Sequence, residues 1–133
     1  YGMAGLRIGY TFADPLLIDE LMKACQAWNV SYNALAAAQA ALKDQEYIKK
    51  IKALTTAGRK YLEDELTKLG CTLAKPCPNF IYFDTHHDPK ETRAALAERK
   101  IMISAFGFNR VSVGTEEQNK AFIAALKEIL AAY

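Results

Sequence analysis

The chain has 133 residues, 51% of them hydrophobic and 24% charged, with a formal net charge of +2. That balance fits an ordinary globular domain of the commonest size, about 100–150 residues, and excludes a disordered or collagen-like chain. No apolar run approaches the roughly 20 residues of a bilayer span, no secretory segment opens the chain, and the near-neutral charge gives no electrostatic case for nucleic acid or an anionic membrane.

Large apolar residues alternate with small or polar ones through Leu6-Arg7-Ile8-Gly9-Tyr10-Thr11-Phe12, which predicts a strand. Asp14-Pro15 is a helix start, and Leu17, Ile18, Leu21, Met22 and Cys25 recur at helical spacing. Ser31 caps a second predicted helix that runs through the alanine-rich stretch to Leu42. After Asp44, an apolar stripe of Ile48, Ile51, Leu54, Gly58, Tyr61, Leu62, Leu66 and Leu69 predicts one long amphipathic helix, with Gly70 as its left-handed stop. Within that helix Gly58 costs about 1 kcal/mol relative to alanine.

Beyond Gly70 the texture changes. Cys71-Thr72-Leu73-Ala74 reads as a short strand, Pro76-Cys77-Pro78 as a rigid turn, and the aromatic, β-branched run Asn79–Asp84 as a buried strand. Asp88-Pro89-Lys90-Glu91 opens a helix. Ile101–Ile103 and Arg110–Val113 are two further predicted strands. Thr115-Glu116-Glu117-Gln118 forms a capping box for a last helix whose core face is Phe122, Ile123, Leu126, Ile129, Leu130 and Tyr133.

The expected fold is therefore α/β. Residues 44–133 form a compact α+β module of about four strands with flanking helices, and residues 1–43 supply a strand and two helices from a different domain. A lone strand is unstable, so Leu6–Phe12 is expected to pair with something outside the chain. The start at Tyr1 in place of methionine adds the expectation that the 133 residues belong to a longer product.

Two arginines carry candidate chemistry. Arg7 follows Gly2-Met3-Ala4-Gly5, whose glycines allow close backbone approach to a ligand, and its planar fork suits a phosphate; a surface ion pair is the plain alternative. Arg110 opens a strand otherwise filled by apolar and small residues, where a guanidinium needs an anion from the protein or from a ligand.

The run Tyr1-Gly2-Met3-Ala4-Gly5-Leu6-Arg7-Ile8-Gly9-Tyr10 resembles the segment after the cofactor lysine in fold-type I pyridoxal-phosphate enzymes, where the pattern is Ser-Lys-x-Tyr-Gly-x-x-Gly-x-Arg-x-Gly. Asn79-Phe80-Ile81-Tyr82-Phe83 and the closing Asn109-Arg110-Val111-Ser112-Val113-Gly114-Thr115-Glu116-Glu117-Gln118-Asn119 are similar to the same family, in the same order. The nearest group is the histidinol-phosphate aminotransferase-like class I/II aminotransferases. The resemblance implies pyridoxal 5'-phosphate as cofactor, Arg7 on its phosphate and Arg110 on the substrate α-carboxylate. It also implies amino-acid and 2-oxo-acid substrates, and a cytoplasmic homodimer with the stretch from Asn29 to Asn33 near the subunit interface.

Departures from the pattern matter equally. The family's Schiff-base lysine would fall two residues before Tyr1, so the 133 residues contain no catalytic lysine and are expected to be inactive alone. Ser104 stands where histidinol-phosphate aminotransferases often carry a further arginine, and the connection from there to the last strand is shorter than theirs. A decarboxylase of the threonine-phosphate type remains open within the same fold, and a non-catalytic stand-alone binding module outside it.

Smaller candidates read as ordinary structure. His86-His87 lack metal partners at ligand spacing and read as a solvated loop. The spacing of Cys71 and Cys77 matches neither a zinc ribbon nor a redox pair, and an odd cysteine count fits a reducing cytosol. Cys25 reads as a small core residue, Tyr10 and Tyr32 as core aromatics, and Lys68 and the run Lys49-Lys50-Ile51-Lys52 as solvated helix faces. No metal is expected.

Overall fold

The computed structural model describes residues 1–75 and 79–133, so the predicted turn at Pro76-Cys77-Pro78 lies outside the described residues. The chain divides into two compact units, Tyr1–Lys49 and Lys50–Tyr133.

The first unit opens on a single 3-10 turn, Ala4–Leu6, followed by two helices, α1 (Pro15–Ala24) and α2 (Tyr32–Lys43). Both helices start where capping chemistry puts them. The Asp14 carboxylate accepts from the Leu16 backbone N–H with Pro15 at the first position, and the Ser31 hydroxyl accepts from Ala34 N–H. The expected strand Leu6–Phe12 does not form. The turn ends on Arg7 at φ 55, a left-handed residue that breaks extended geometry, and Tyr10 and Phe12 are 75% and 90% exposed. Without a neighbouring backbone to pair with, alternation alone does not hold a strand. Cys25 caps the C-terminus of α1 and is exposed, and Tyr32 is exposed too, against the expectation that both are core.

The second unit takes in most of α3 (Gln45–Lys68) and holds a four-stranded antiparallel sheet in the order β1-β2-β4-β3. The strands are β1 (Thr72–Leu73), β2 (Phe80–Asp84), β3 (Ser104–Phe106) and β4 (Phe108–Ser112), with α4 (Pro89–Glu98) between β2 and β3 and α5 (Glu116–Leu130) closing the chain. Alternation along β2 and β4 sorts the two faces. Ile81, Phe83, Asn109 and Val111 point inward and join Leu62, Leu66, Leu96, Phe122 and Leu126 in the core. Phe80, Tyr82, Asp84, Phe108, Arg110 and Ser112 occupy the opposite, outer face.

The expected strand Ile101–Ile103 shifts to Ser104–Phe106. Gly107, at φ 76, reverses the chain so tightly that Phe106 faces Phe108, and counting back from that turn sets Ser104 opposite Arg110. Ile103 is buried just before the ladder begins. The apolar stripe of α3 is covered only in its second half: Leu62 and Leu66 are buried, while Ile51 and Leu54 remain exposed. Tyr133, expected on the core face of the last helix, is exposed and stacks on His87 at 4.0 Å.

Gly58 has a reason that periodicity does not reveal. A Cβ there would stand 2.7 Å from Val113 Cγ1 and 2.8 Å from Asn119 Nδ2, so α3 meets the end of β4 and the start of α5 at a distance that excludes a methyl group. Helix propensity favours Gly58→Ala by about 1 kcal/mol; overpacking at a tight contact costs about 1–3 kcal/mol. The Gly58→Ala variant is therefore expected to be destabilised in urea titration, and an increase in stability would show that the contact yields freely.

Candidate functional site

Arg110 lies in the middle of β4, flanked in register by Tyr82 of β2 and Ser104 of β3. Its guanidinium carbon sits 4.9 Å from the centroid of the Phe80 ring, a cation–π contact on the outer face. Its Nε is buried and has no hydrogen-bond partner. A cationic donor removed from water without an acceptor is costly, and hydrogen bonds to charged groups contribute about 1.5–3 kcal/mol when made. The geometry therefore leaves one buried N–H of a half-buried guanidinium without a partner among the described residues. A cleft of about 800 Å³ opens alongside, lined by Arg110, Ser104, Met102, Lys100 and Gln118 among others.

The turn beyond Arg110 is held by three groups of hydrogen bonds. The Asn119 side chain is buried and brackets Gly114, its Oδ1 accepting from the Gly114 N–H at 2.9 Å and its Nδ2 donating to the Gly114 carbonyl at 3.2 Å. Thr115 and Gln118 complete the capping box expected from sequence. Val113 N–H donates to the Asn79 carbonyl at 3.0 Å, which ties the exit of β4 to the entry of β2. Asn119 is a residue that sequence reasoning quoted in a motif without assigning it work. Its one available signal was a polar residue on the inward face of a helix. Asn109, next to Arg110 but on the core face, is fully buried with neither amide oxygen nor nitrogen partnered.

Arg7 belongs to the first unit and Arg110 to the second. Arg7 is exposed, and its Nη1 donates to the Ala4 carbonyl at 2.9 Å, so the turn Ala4–Leu6 holds one terminal nitrogen of the guanidinium. Gly2, at φ 67, and the left-handed Arg7 bracket that turn.

The remaining candidates behave as surface or core. His86 is exposed at φ 62, its backbone N–H donating to the Asp84 carboxylate at 2.8 Å and its Nε2 lying 3.2 Å from the Thr72 hydroxyl. Among the described residues no three potential ligands gather into a metal site. Lys68 pairs with Glu65 on the exposed face of α3, and that carboxylate raises its pKa. Cys71 is buried in the core beside β2, and burial, with the Asp84 carboxylate adding to it, pushes its thiol up to about 11.

The family model described as aminotransferase class I and II matches residues 1–126. The histidinol-phosphate aminotransferase of Moorella thermoacetica is 37% identical over 137 aligned positions, covering 98% of this chain and 36% of that protein. Its counterpart in Symbiobacterium thermophilum is 38% identical, covering 98% and 38%. Among solved structures, the histidinol-phosphate aminotransferase of Clostridium acetobutylicum superposes with a TM-score of 0.85 at 27% identity, over 99% of this chain and 43% of that one. The Sinorhizobium meliloti histidinol-phosphate aminotransferase, solved in complex with pyridoxal-5'-phosphate, gives a TM-score of 0.82 at 26% identity, covering 99% and 39%. The chain thus spans a little over a third of the length of the curated relatives it matches.

The raised thiol pKa of Cys71 has a chemical consequence. A thiol with a folded-state pKa of about 11 stays protonated at neutral pH, and the thiolate is the reactive form. Because the folded state holds this proton more tightly than the ordinary value of 9.0, the associated stability is fully present below that value and is lost as pH rises toward 11. Iodoacetamide at neutral pH, read by peptide mass spectrometry, is expected to label exposed Cys25 and to reach Cys71 only after denaturation. Equal labelling of the two in the folded protein would contradict the burial.

Proposed function

From the premise that this chain belongs to the class I and II aminotransferases, we propose that it is the C-terminal part of a pyridoxal-phosphate-dependent aminotransferase. Residues 1–43 would close a larger cofactor-binding domain and residues 44–133 would form the small domain. The observation that carries the reading is the buried, unpartnered Nε of Arg110 on the outer face of the sheet. It is the group this fold presents to an anionic ligand, at the position that the motif resemblance gives to the substrate carboxylate.

The residues present fit the cofactor at its phosphate end. Arg7 is exposed, anchored through one N–H to Ala4 and otherwise open, which suits a charge-assisted fork onto phosphate oxygens. When bound, pyridoxal phosphate supplies the electron sink for bond changes at the substrate α-carbon. This chain's own contribution is binding and orientation. Arg7 holds a phosphate, and Arg110 holds a carboxylate so that the α-carbon is presented in one pose, the kind of positioning that lowers a barrier by restricting motion in advance. The 133 residues hold no lysine at the motif's cofactor position and are proposed to be inactive alone. Sequence relatives named as histidinol-phosphate aminotransferases support an amino-group transfer between an amino acid or amino alcohol and a 2-oxo acid. A cytoplasmic homodimer follows from the motif resemblance on the same reading.

Arg110→Gln in the full-length enzyme tests the assignment. Loss of a charge-assisted hydrogen bond of about 1.5–3 kcal/mol is expected to lower kcat/KM for carboxylate substrates by about 10- to 150-fold, with pyridoxal absorbance retained. Arg7→Gln is expected to do the reverse: weakened cofactor retention, with substrate KM little changed once cofactor is in excess. An Arg110→Gln enzyme with unaltered kcat/KM would overturn the reading.

A further inference from the structure

Within the first unit, the turn that carries Arg7 takes its form from its own bonds and its place from its neighbours. Leu6 N–H donates to the Met3 carbonyl at 3.0 Å, Arg7 N–H to the Ala4 carbonyl at 3.2 Å, and Arg7 Nη1 to that same carbonyl at 2.9 Å. All three bonds close on residues 3–7, so they shape the turn without locating it. Met3, half-buried, supplies one attachment. A second comes from α3. The Tyr47 hydroxyl stands 3.5 Å from the point where a Cβ on Gly2 would lie, and Gly2, at φ 67, is the left-handed residue through which the chain enters the turn. Tyr47 is itself firmly seated. Its backbone N–H donates to the Asp44 carboxylate at 3.0 Å, and the Gln45 side-chain amide donates to the Leu42 carbonyl at 2.8 Å, so the joint between α2 and α3 is bonded on both sides. A tyrosine side chain turns about only two bonds, which makes it a stiff arm with a polar tip.

We propose that Tyr47 is a positioning residue for the phosphate end of the cofactor: its hydroxyl braces the Gly2 turn and thereby fixes the direction in which Arg7 presents its guanidinium. The inference rests on Arg7 being the phosphate ligand and goes beyond it by naming the group that aims Arg7. An exposed arginine is rich in rotamers, and freedom left in the backbone beneath it adds to what a phosphate must freeze on binding. Bracing the turn removes part of that freedom before the ligand arrives. The consequence is specific. Tyr47 acts through the turn on one guanidinium, so its loss is felt by a ligand that carries a phosphate and not by the same ligand without one. Tyr47 is 43% exposed, so removing its hydroxyl strands no buried polar group and leaves folding intact.

The test measures the dissociation constants of pyridoxal 5'-phosphate and of pyridoxal, which lacks the phosphate, on the cofactor-free full-length enzyme, followed by absorbance. The ratio of the two constants reports the phosphate contacts alone. Tyr47→Phe, which keeps the ring and removes the hydroxyl, is expected to narrow that ratio about three- to tenfold by weakening pyridoxal 5'-phosphate while pyridoxal stays within about twofold. Tyr47→Ala is expected to narrow it at least as far. Lys49→Ala removes an exposed side chain two residues along α3, one paired with Glu46 at 2.7 Å, and is expected to leave the ratio within about twofold. An unchanged ratio in Tyr47→Phe overturns the proposal, as does an equal loss of affinity for both ligands, which is the mark of a merely structural role. Arg7→Gln separates the two levels of inference. If it leaves the ratio intact, the phosphate role of Arg7 falls and that of Tyr47 with it; if it collapses the ratio while Tyr47→Phe does not, only the role of Tyr47 falls.

Discussion

A guanidinium held against an aromatic ring, with its Nε withdrawn from water and left without an acceptor, is the constraint around which the second unit is arranged. An arginine in a strand could swing its head into solvent and give up nothing. Arg110 keeps its Nε buried, with the Phe80 ring against its guanidinium. The resulting deficit is a form of preorganisation. The fold has already borne the desolvation and rotamer cost of placing this donor.

That arrangement depends on the strand being fixed at both ends. Gly107 sets the register at one end by forcing Phe106 opposite Phe108. At the other end the Asn119 amide, the Thr115–Gln118 box and the Val113–Asn79 bond act on three consecutive residues. Gly58 allows α3 to press on this turn with no intervening methyl group. A buried amide satisfied at both polar atoms contributes order. The neighbouring amide of Asn109, satisfied at neither, is a local cost of about 1–3 kcal/mol for each unpaired group.

Capping chemistry was the most legible layer of the sequence, because it is local. Asp14, Ser31, Asp88 and Thr115 each begin a helix through the bond that their side chain predicts. The aromatic, β-branched run located β2, and the predicted strand Arg110–Val113 overlaps β4, which begins two residues earlier. Alternation failed at Leu6–Phe12, where no strand lies alongside among the described residues, and the strand expected at Ile101–Ile103 shifted to Ser104–Phe106, where a glycine turn further along the chain sets the register. Cys25, Tyr32 and Tyr133 were misplaced for a related reason, since an apolar helical position is buried only when something covers it. Both arginines stood out through residue chemistry. The register that makes Ser104 the neighbour of Arg110 is a tertiary fact, and no spacing rule in the sequence contains it.

The most direct measurement is the nitrogen-15 NMR signal of the Arg110 Nε–H, observed while 3-phenylpropanoate is titrated into the protein. An unpaired donor waiting for a carboxylate is expected to show a saturable downfield shift and slower exchange with solvent as the acid binds, with the indole signal of exposed Trp28 as an unmoved reference. A signal that stays constant through the titration, or that drifts linearly in step with the reference, would mean that the buried guanidinium is not an anion site.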